Sequence, residues 1–313
     1  MATGLTRLLE AGALAGRRSL SLWDRGLRDE DVDELARCDA LRELTSLDLG
    51  WNQIGPAGAR ALATSPVLAN LEWLNLYHND ILDEGACALA AAQLPRLRGL
   101  NMCRNGLTPR AAAAIRRDMP ELRKLHAGCN ALGDDGIAML ATLEHLEELN
   151  VRKNGIGPDG ATTLADARPP LRVLGLEDNP IGDRGVGALV DSGLLGATSV
   201  AVLIDVGLGE AGLARIAKRP REARGALRIG LNALGDAGVA TLVDGPGVDG
   251  LTELGMPCND ITDRGARLLA DAPFVRSLDV LDLVGNDIGF EMRTALAASL
   301  RPGALKIDLG SVA

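Results

Sequence analysis

One short pattern, LxxLxLxxNxI, returns along almost the whole chain and restricts what the chain can fold into. It stands in full at Leu44-Thr-Ser-Leu47-Asp-Leu49-Gly-Trp-Asn52-Gln-Ile54. It returns at Leu71 to Ile81, Leu97 to Leu107, Leu122 to Leu132, Leu146 to Ile156 and Leu171 to Ile181, then at Leu251 to Ile261 and Leu278 to Ile288. The asparagines are Asn52, Asn79, Asn105, Asn130, Asn154, Asn179, Asn232, Asn259 and Asn286, and successive ones lie 24 to 27 residues apart except across one double interval. Val206 falls in that interval at the asparagine slot, with Leu203 and Leu208 in register. An earlier copy is visible at Leu20-Ser-Leu22, with Arg25 in the asparagine slot. Self-similarity at a fixed period means a solenoid, in which each unit buries its apolar face only against its neighbours. About eleven repeats are expected.

Each part of the pattern has a physical cause. The LxL core is a short strand whose leucines point one way and whose intervening residues point the other. The asparagine sits where the chain leaves the strand, and its amide can bond backbone groups that neither sheet nor helix satisfies. Stacked copies should form an amide ladder. The second half of each copy reads as a helix, as in GPAGARALA, GDDGIAMLA and TDRGARLLA. Gly or Thr takes the N-cap slot in most copies, and Pro56, Pro109 and Pro158 fall at N1, where a missing N–H costs nothing. Asp83, Asp134 and Asp183 suit the positive end of a helix. The recurring glycines (Gly58, Gly85, Gly136, Gly160, Gly185, Gly265) should let helix and strand approach closely.

Strands stack ~4.8 Å apart and helices ~10 Å apart, so joining one of each per repeat should curve the stack. The expected fold is an α/β horseshoe with a parallel concave sheet and convex helices. Residues 1–313 are expected to form one solenoid domain. Within it, 1–16 read as an amphipathic capping helix, 17–304 as repeats and 305–313 as a terminal strand, with Ile307 to Leu309 at its centre. Over about residues 17–309 the pattern resembles the ribonuclease-inhibitor-like leucine-rich-repeat family. That resemblance implies a non-catalytic, inhibitor-like scaffold that binds protein. The missing asparagine at Val206 and the lack of a recognisable C-terminal cap depart from the pattern.

The composition narrows the function. A formal net charge of -9 argues against a general nucleic-acid or anionic-membrane binder, which needs cationic surface to displace counterions. The five cysteines, Cys38, Cys87, Cys103, Cys129 and Cys258, form no CxxC pair, and an odd number of thiols suits a reducing cytoplasm. There is no basic n-region followed by an apolar stretch, and no run near the ~20 apolar residues of a membrane span. The Ala-, Gly-, Arg- and Leu-heavy composition hints at a GC-rich bacterial genome.

Within LxxLxLxxN, positions 3, 5, 7 and 8 should face the concave side or its rim. The first three copies place Trp23, Trp51, Trp73 and Tyr77 there, which are all the tryptophans and the sole tyrosine of the chain. His78 lies beside them. Aromatic rings give large rigid contact area and dominate interface hot spots, so an aromatic binding patch is expected. Arg104, Lys124, His126, Arg152 and Lys153 follow in the middle copies as a basic stripe suited to an acidic partner surface. Later copies are smoother there, with Val200, Val202, Ile204, Gly230, Gly255, Val280 and Val284. The segment Ala214 to Arg228 is irregular and basic (Arg215, Lys218, Arg219, Arg221, Arg224, Arg228), either an anion site or a solvated turn, with a helix ending before Pro220.

Catalytic signals are weak. His78, His126 and His145 have no zinc-ligand spacing, there is no P-loop and no GxSxG, and no metal or cofactor is expected. Cys103 and Cys129 come from adjacent copies near His126, so a thiol–imidazole pair is conceivable on an open sheet that has no lid to exclude water. Two other roles stand beside protein binding. One is regulation of a GTPase, since Ran GTPase-activating proteins share this repeat type, an analogy of fold alone. The other is self-assembly through the sheet edge left by the last strand.

Overall fold

The structure, a computed structural model, describes residues 16–92 and 94–307. The capping helix expected over 1–16 lies outside the described residues apart from Gly16, and so do residues 308–313. The chain divides into two compact units, Met1–Asn154 and Gly155–Ala313, each built in the same way.

In the first unit, β1 (Ser19–Ser21), β2 (Ser46–Asp48), β3 (Trp73–Asn75), β4 (Gly99–Asn101), β5 (Lys124–His126) and β6 (Glu148–Asn150) pair in parallel in chain order. Their central residues, Leu20, Leu47, Leu74, Leu100, Leu125 and Leu149, are in register and buried. Helices α1 (Asp29–Leu35), α2 (Pro56–Ala63), α3 (Leu82–Ala90), α4 (Pro109–Asp118) and α5 (Gly133–Leu140) cover the leucine side. The second unit repeats this with β7 (Val173–Gly175), β8 (Val200–Val202), β9 (Gly225–Arg228), β10 (Leu251–Gly255), β11 (Val280–Asp282) and β12 (Leu305–Lys306). Its helices are α6 (Pro158–Ala167), α7 (Gly182–Asp191), the short α8 (Leu194–Ala197), α9 (Glu210–Lys218), α10 (Gly235–Val243), α11 (Asp263–Asp271) and α12 (Phe290–Ser299). Pro56, Pro109 and Pro158 each open a helix, and α9 stops at Lys218 before Pro220, as expected. Of the segment expected to be irregular, residues 214–218 close α9 and residues 225–228 form β9.

The asparagine ladder is present in both units. Asn130 accepts at Oδ1 from the N–H groups of Asn105 and Leu107, both at 3.0 Å. Its Nδ2 donates to the carbonyls of Met102, Ala127 and Gly128. Asn232 repeats the arrangement, accepting from Val206 and Leu208 and donating to Leu203, Ile229 and Gly230. One rung of amides thus joins each turn to the one before. The residue ahead of each asparagine slot is left-handed: Asp24 (before Arg25), Trp51, His78, Arg104, Cys129 and Lys153 in the first unit have φ of 52° to 56°. A side chain in that region costs roughly 1–2 kcal/mol, offset here by the amide bonds the turn makes available. At Val206 the rung is missing, and the chain compensates locally: the Ile181 N–H bonds the Asn179 carbonyl at 2.8 Å instead.

Two helix features differ from expectation. The recurring glycines relieve helix-on-helix contact as well as the turn into the helix. A Cβ at Gly85 would lie 2.8 Å from Ala59 Cβ on α2, and one at Gly185 would lie 2.9 Å from Ala161 Cβ on α6. The first-turn acids act on the next repeat. Asp83 accepts from the Thr108 N–H and hydroxyl, Asp183 from the Gly209 N–H, and Asp236 from Thr262 and the Gly265 N–H. They therefore satisfy the orphan donors at the start of the following helix, a stronger tie than the dipole alone supplies. Burial pushes the Asp236 carboxyl upward. The bonds from Thr262 and Gly265, with Arg264 nearby, outweigh this and hold it below the ordinary carboxylate range.

Candidate functional site

In the first unit the strand residues that flank each buried leucine project from the face opposite the helices, here called the open face. Its polar frame is a second row of side chains at position 5. Asn75, Asn101 and Asn150 each accept at Oδ1 from the N–H two residues on (Tyr77, Cys103, Arg152), and Asp48 does the same for Gly50. Asp48 also takes Ser21 Oγ and Asn75 Nδ2, so it bridges three adjacent strands. This row was passed over in the sequence. Its signal is an Asx residue recurring two places before position 7.

The aromatic residues separate into two groups. Trp23 stacks on Tyr77, with ring centroids 5.5 Å apart and planes 10° from parallel. Trp51 meets Tyr77 at 6.3 Å and the His78 ring edge-on at 4.1 Å. Three successive repeats thus contribute to one cluster, and its tryptophans stay open to solvent, Trp23 at 41% and Trp51 at 45%. Trp73 stands apart: it meets His126 edge-on at 5.6 Å. Both groups rest on glycine. A Cβ at Gly50 would collide with the Trp23 ring, and one at Gly99 with the Trp73 ring. Lacking side chains, these positions let the rings lie flat on the sheet.

The basic stripe is less basic than the sequence suggested. Glu148 receives His126 Nε2 at 2.7 Å and lies 3.4 Å from Lys124 Nζ. Partial burial pushes the Glu148 carboxyl upward. The hydrogen bond and charge of His126, followed by Lys124, prevail and keep it below the ordinary value. An ionised Glu148 accepts, so the imidazole donates. Lys124 and His126 therefore share the one carboxylate of Glu148 within the sheet. Glu148 occupies position 3 of its copy, so the repeat register itself would have found it. Arg152 is exposed, and its N–H is the one held by Asn150. Arg104 and Lys153 are exposed, and their side chains have no partner among the described residues. With His78, Asp80 and Cys129 they line a cavity of about 460 Å³.

The basic segment of the second unit is dispersed. Arg215 pairs with Asp191 across α9 and α7. Arg221 donates to the Thr198 carbonyl at 2.8 Å, and burial lowers its pKa. Arg228 lies on β9 and is bidentate to Glu253. Three of the six cations thus point to three different partners and form no single anion site. Of the thiol–imidazole pair considered above, His126 Nε2 is committed to Glu148, and Cys103 Sγ accepts from the Gly128 N–H at 3.1 Å. Among the described residues no three His, Cys, Asp or Glu side chains converge as a metal site would require. No described helix is long and apolar enough to cross a membrane.

The sequence model of the leucine-rich repeat matches residues 41–63, 67–90, 142–165, 169–190 and 251–270. Among solved structures, an internalin (inlF) of Listeria monocytogenes is similar in fold, with 18% identity and a TM-score of 0.53 over 98% of this chain and 89% of that one. So is a chain of the yeast Rad7 and Elc1 complex, with 17% identity and a TM-score of 0.51 over 97% of this chain and 85% of that one. Among curated proteins none matches in sequence. The repeat matches and both likenesses agree with the strand–helix alternation seen in each unit.

Proposed function

We propose that this leucine-rich-repeat protein binds another protein on the open face of its first three repeats and carries out no chemistry of its own. The observation that carries this is the cluster of Trp23, Trp51, Tyr77 and His78. Aromatic contacts within the chain leave both tryptophans half-exposed, and a partner surface that covers them gains a rigid apolar anchor at small entropic cost. Trp73 and His126 extend the anchor along the sheet, and Glu148 fixes their geometry. The Rad7 and Elc1 structure is itself a complex, which accords with a fold used for protein contact.

The full-helix repeats support placement with the ribonuclease-inhibitor-like branch. The unchanged step from Asn154 to Asn179 supports reading residues 1–313 as one repeat domain. None of the five cysteines is joined in a disulfide, which favours a reducing compartment, and we read the protein as cytoplasmic and bacterial.

The test is capture from host lysate with wild-type protein and a W23S/W51S/Y77S variant as bait, after circular dichroism has shown that the variant folds. One protein captured by wild type and lost with the variant is the expected result. Equal capture by both would overturn the aromatic site.

A further inference from the structure

The residues one place before each asparagine slot do more than turn the chain. In the first unit this row reads Asp24, Trp51, His78, Arg104, Cys129 and Lys153, all with φ of 52° to 56°. A shared backbone conformation on in-register parallel strands directs these side chains alike, one per repeat, in a line across the sheet. His78 is shared by two features. On one side it touches the Trp51 ring at 4.1 Å, and on the other it lines the cavity with Arg104, Cys129 and Lys153. Cys129 is the short side chain between two long cations, which is why the sheet is hollow there. Lys124 and His126 beside it on β5 are already engaged by Glu148, whereas Arg104 and Lys153 are not. Among the described residues Asp80 is the one acid that lines the cavity.

We propose that this cavity takes the carboxylate of an aspartate or glutamate from the partner polypeptide, and that an apolar side chain of the same segment lies on Trp51. The proposal rests on the aromatic binding site and gives its partner a chemistry. Trp51 and Cys129 are three repeats apart, so the two subsites are separated by ~14 Å at ~4.8 Å per strand. An extended segment advances ~3.3 Å per residue and covers that distance in about four residues, an even step that keeps both side chains on one side. A helical segment would need roughly nine. Two free cations are too few for a nucleic-acid backbone but suffice for one carboxylate. The chain as a whole carries a net charge of -9, so attraction is confined to the cavity and will fall with salt.

The test is selection of a random twelve-residue phage-displayed peptide library on wild-type protein, on R104S/K153S and on R104E/K153E. All four substitutions are at exposed positions. Wild type should enrich a large apolar residue four positions from Asp or Glu. R104S/K153S should keep the apolar residue and lose the acid, and R104E/K153E should select Lys or Arg in its place. A synthesised winner should bind R104S/K153S roughly two- to thirtyfold more weakly, the range expected when two exposed ion pairs are removed. Acids at no fixed distance, acids retained by R104S/K153S, or no enrichment by wild type would each overturn the proposal. If lysate capture still depends on the aromatic residues in any of those cases, the carboxylate subsite alone has failed. Winners that bind W23S/W51S/Y77S as tightly as wild type would instead remove the aromatic site.

Discussion

Replacing Asn130 with alanine tests whether the amide ladder holds the repeats together. The magnitude follows from its partners. Asn105 N–H and Leu107 N–H each lose the Oδ1 that accepts them at 3.0 Å. The Met102 carbonyl loses Nδ2. The Ala127 and Gly128 carbonyls keep other donors, Asn154 Nδ2 and the Arg104 N–H. Three backbone groups are therefore orphaned. Each costs about 1–3 kcal/mol when buried, and Asn130 is only half-buried, so water recovers part of the loss. The expected cost is about 3 kcal/mol, a large share of a typical folding free energy. Val206 shows how the chain can limit such damage, by turning the Ile181 N–H onto the Asn179 carbonyl. Urea unfolding of wild type and N130A gives the global change. Because repeat arrays unfold locally, hydrogen exchange at the Asn105 and Leu107 amides must be read alongside it. A cost below about 1 kcal/mol together with unchanged protection at both amides would show that the ladder is not structural.

Two further predictions concern strain and pH. Leu82 is 42% exposed at φ 54°, where the equivalent residues of other copies are Gly133, Gly182 and Gly235 at φ 57° to 60°. Leu82→Gly should raise the stability by about 0.5 kcal/mol, and with it the urea midpoint, once the greater freedom of an unfolded glycine is deducted from the relieved strain; a lower midpoint would refute this. Asp236 has a folded pKa below its unfolded value, so its contribution is complete above about pH 4 and is lost as pH falls through the lower folded value. D236N should be less stable than wild type at pH 6, and the gap should narrow toward pH 3. A gap that stays constant would show that the carboxylate charge is not what Thr262 and Gly265 require.

Much of the architecture was legible in the sequence because it is carried by period. The LxL spacing fixed which strand residues are buried, the asparagine step fixed where each turn falls, and Pro56, Pro109 and Pro158 marked helix starts. The same register placed Trp23, Trp51, Trp73, Tyr77 and His78 on one face. Period assigns a residue to a face and a repeat, but side-chain contacts between repeats depend on lateral register and rotamer, which no single copy contains. Only the tertiary structure decided that Trp23 stacks on Tyr77, 54 residues away, over the bare surface of Gly50. It alone showed that Glu148 is shared by Lys124 and His126, that Asp83 and Asp236 cap the helices of the following repeats, and that Arg104 and Lys153 are left open around Cys129. The physical reason is one of range. Burial is set by alternation within a strand of three residues. Charge pairing and ring stacking are set between strands, where neighbours in space are about 25 residues apart in the chain.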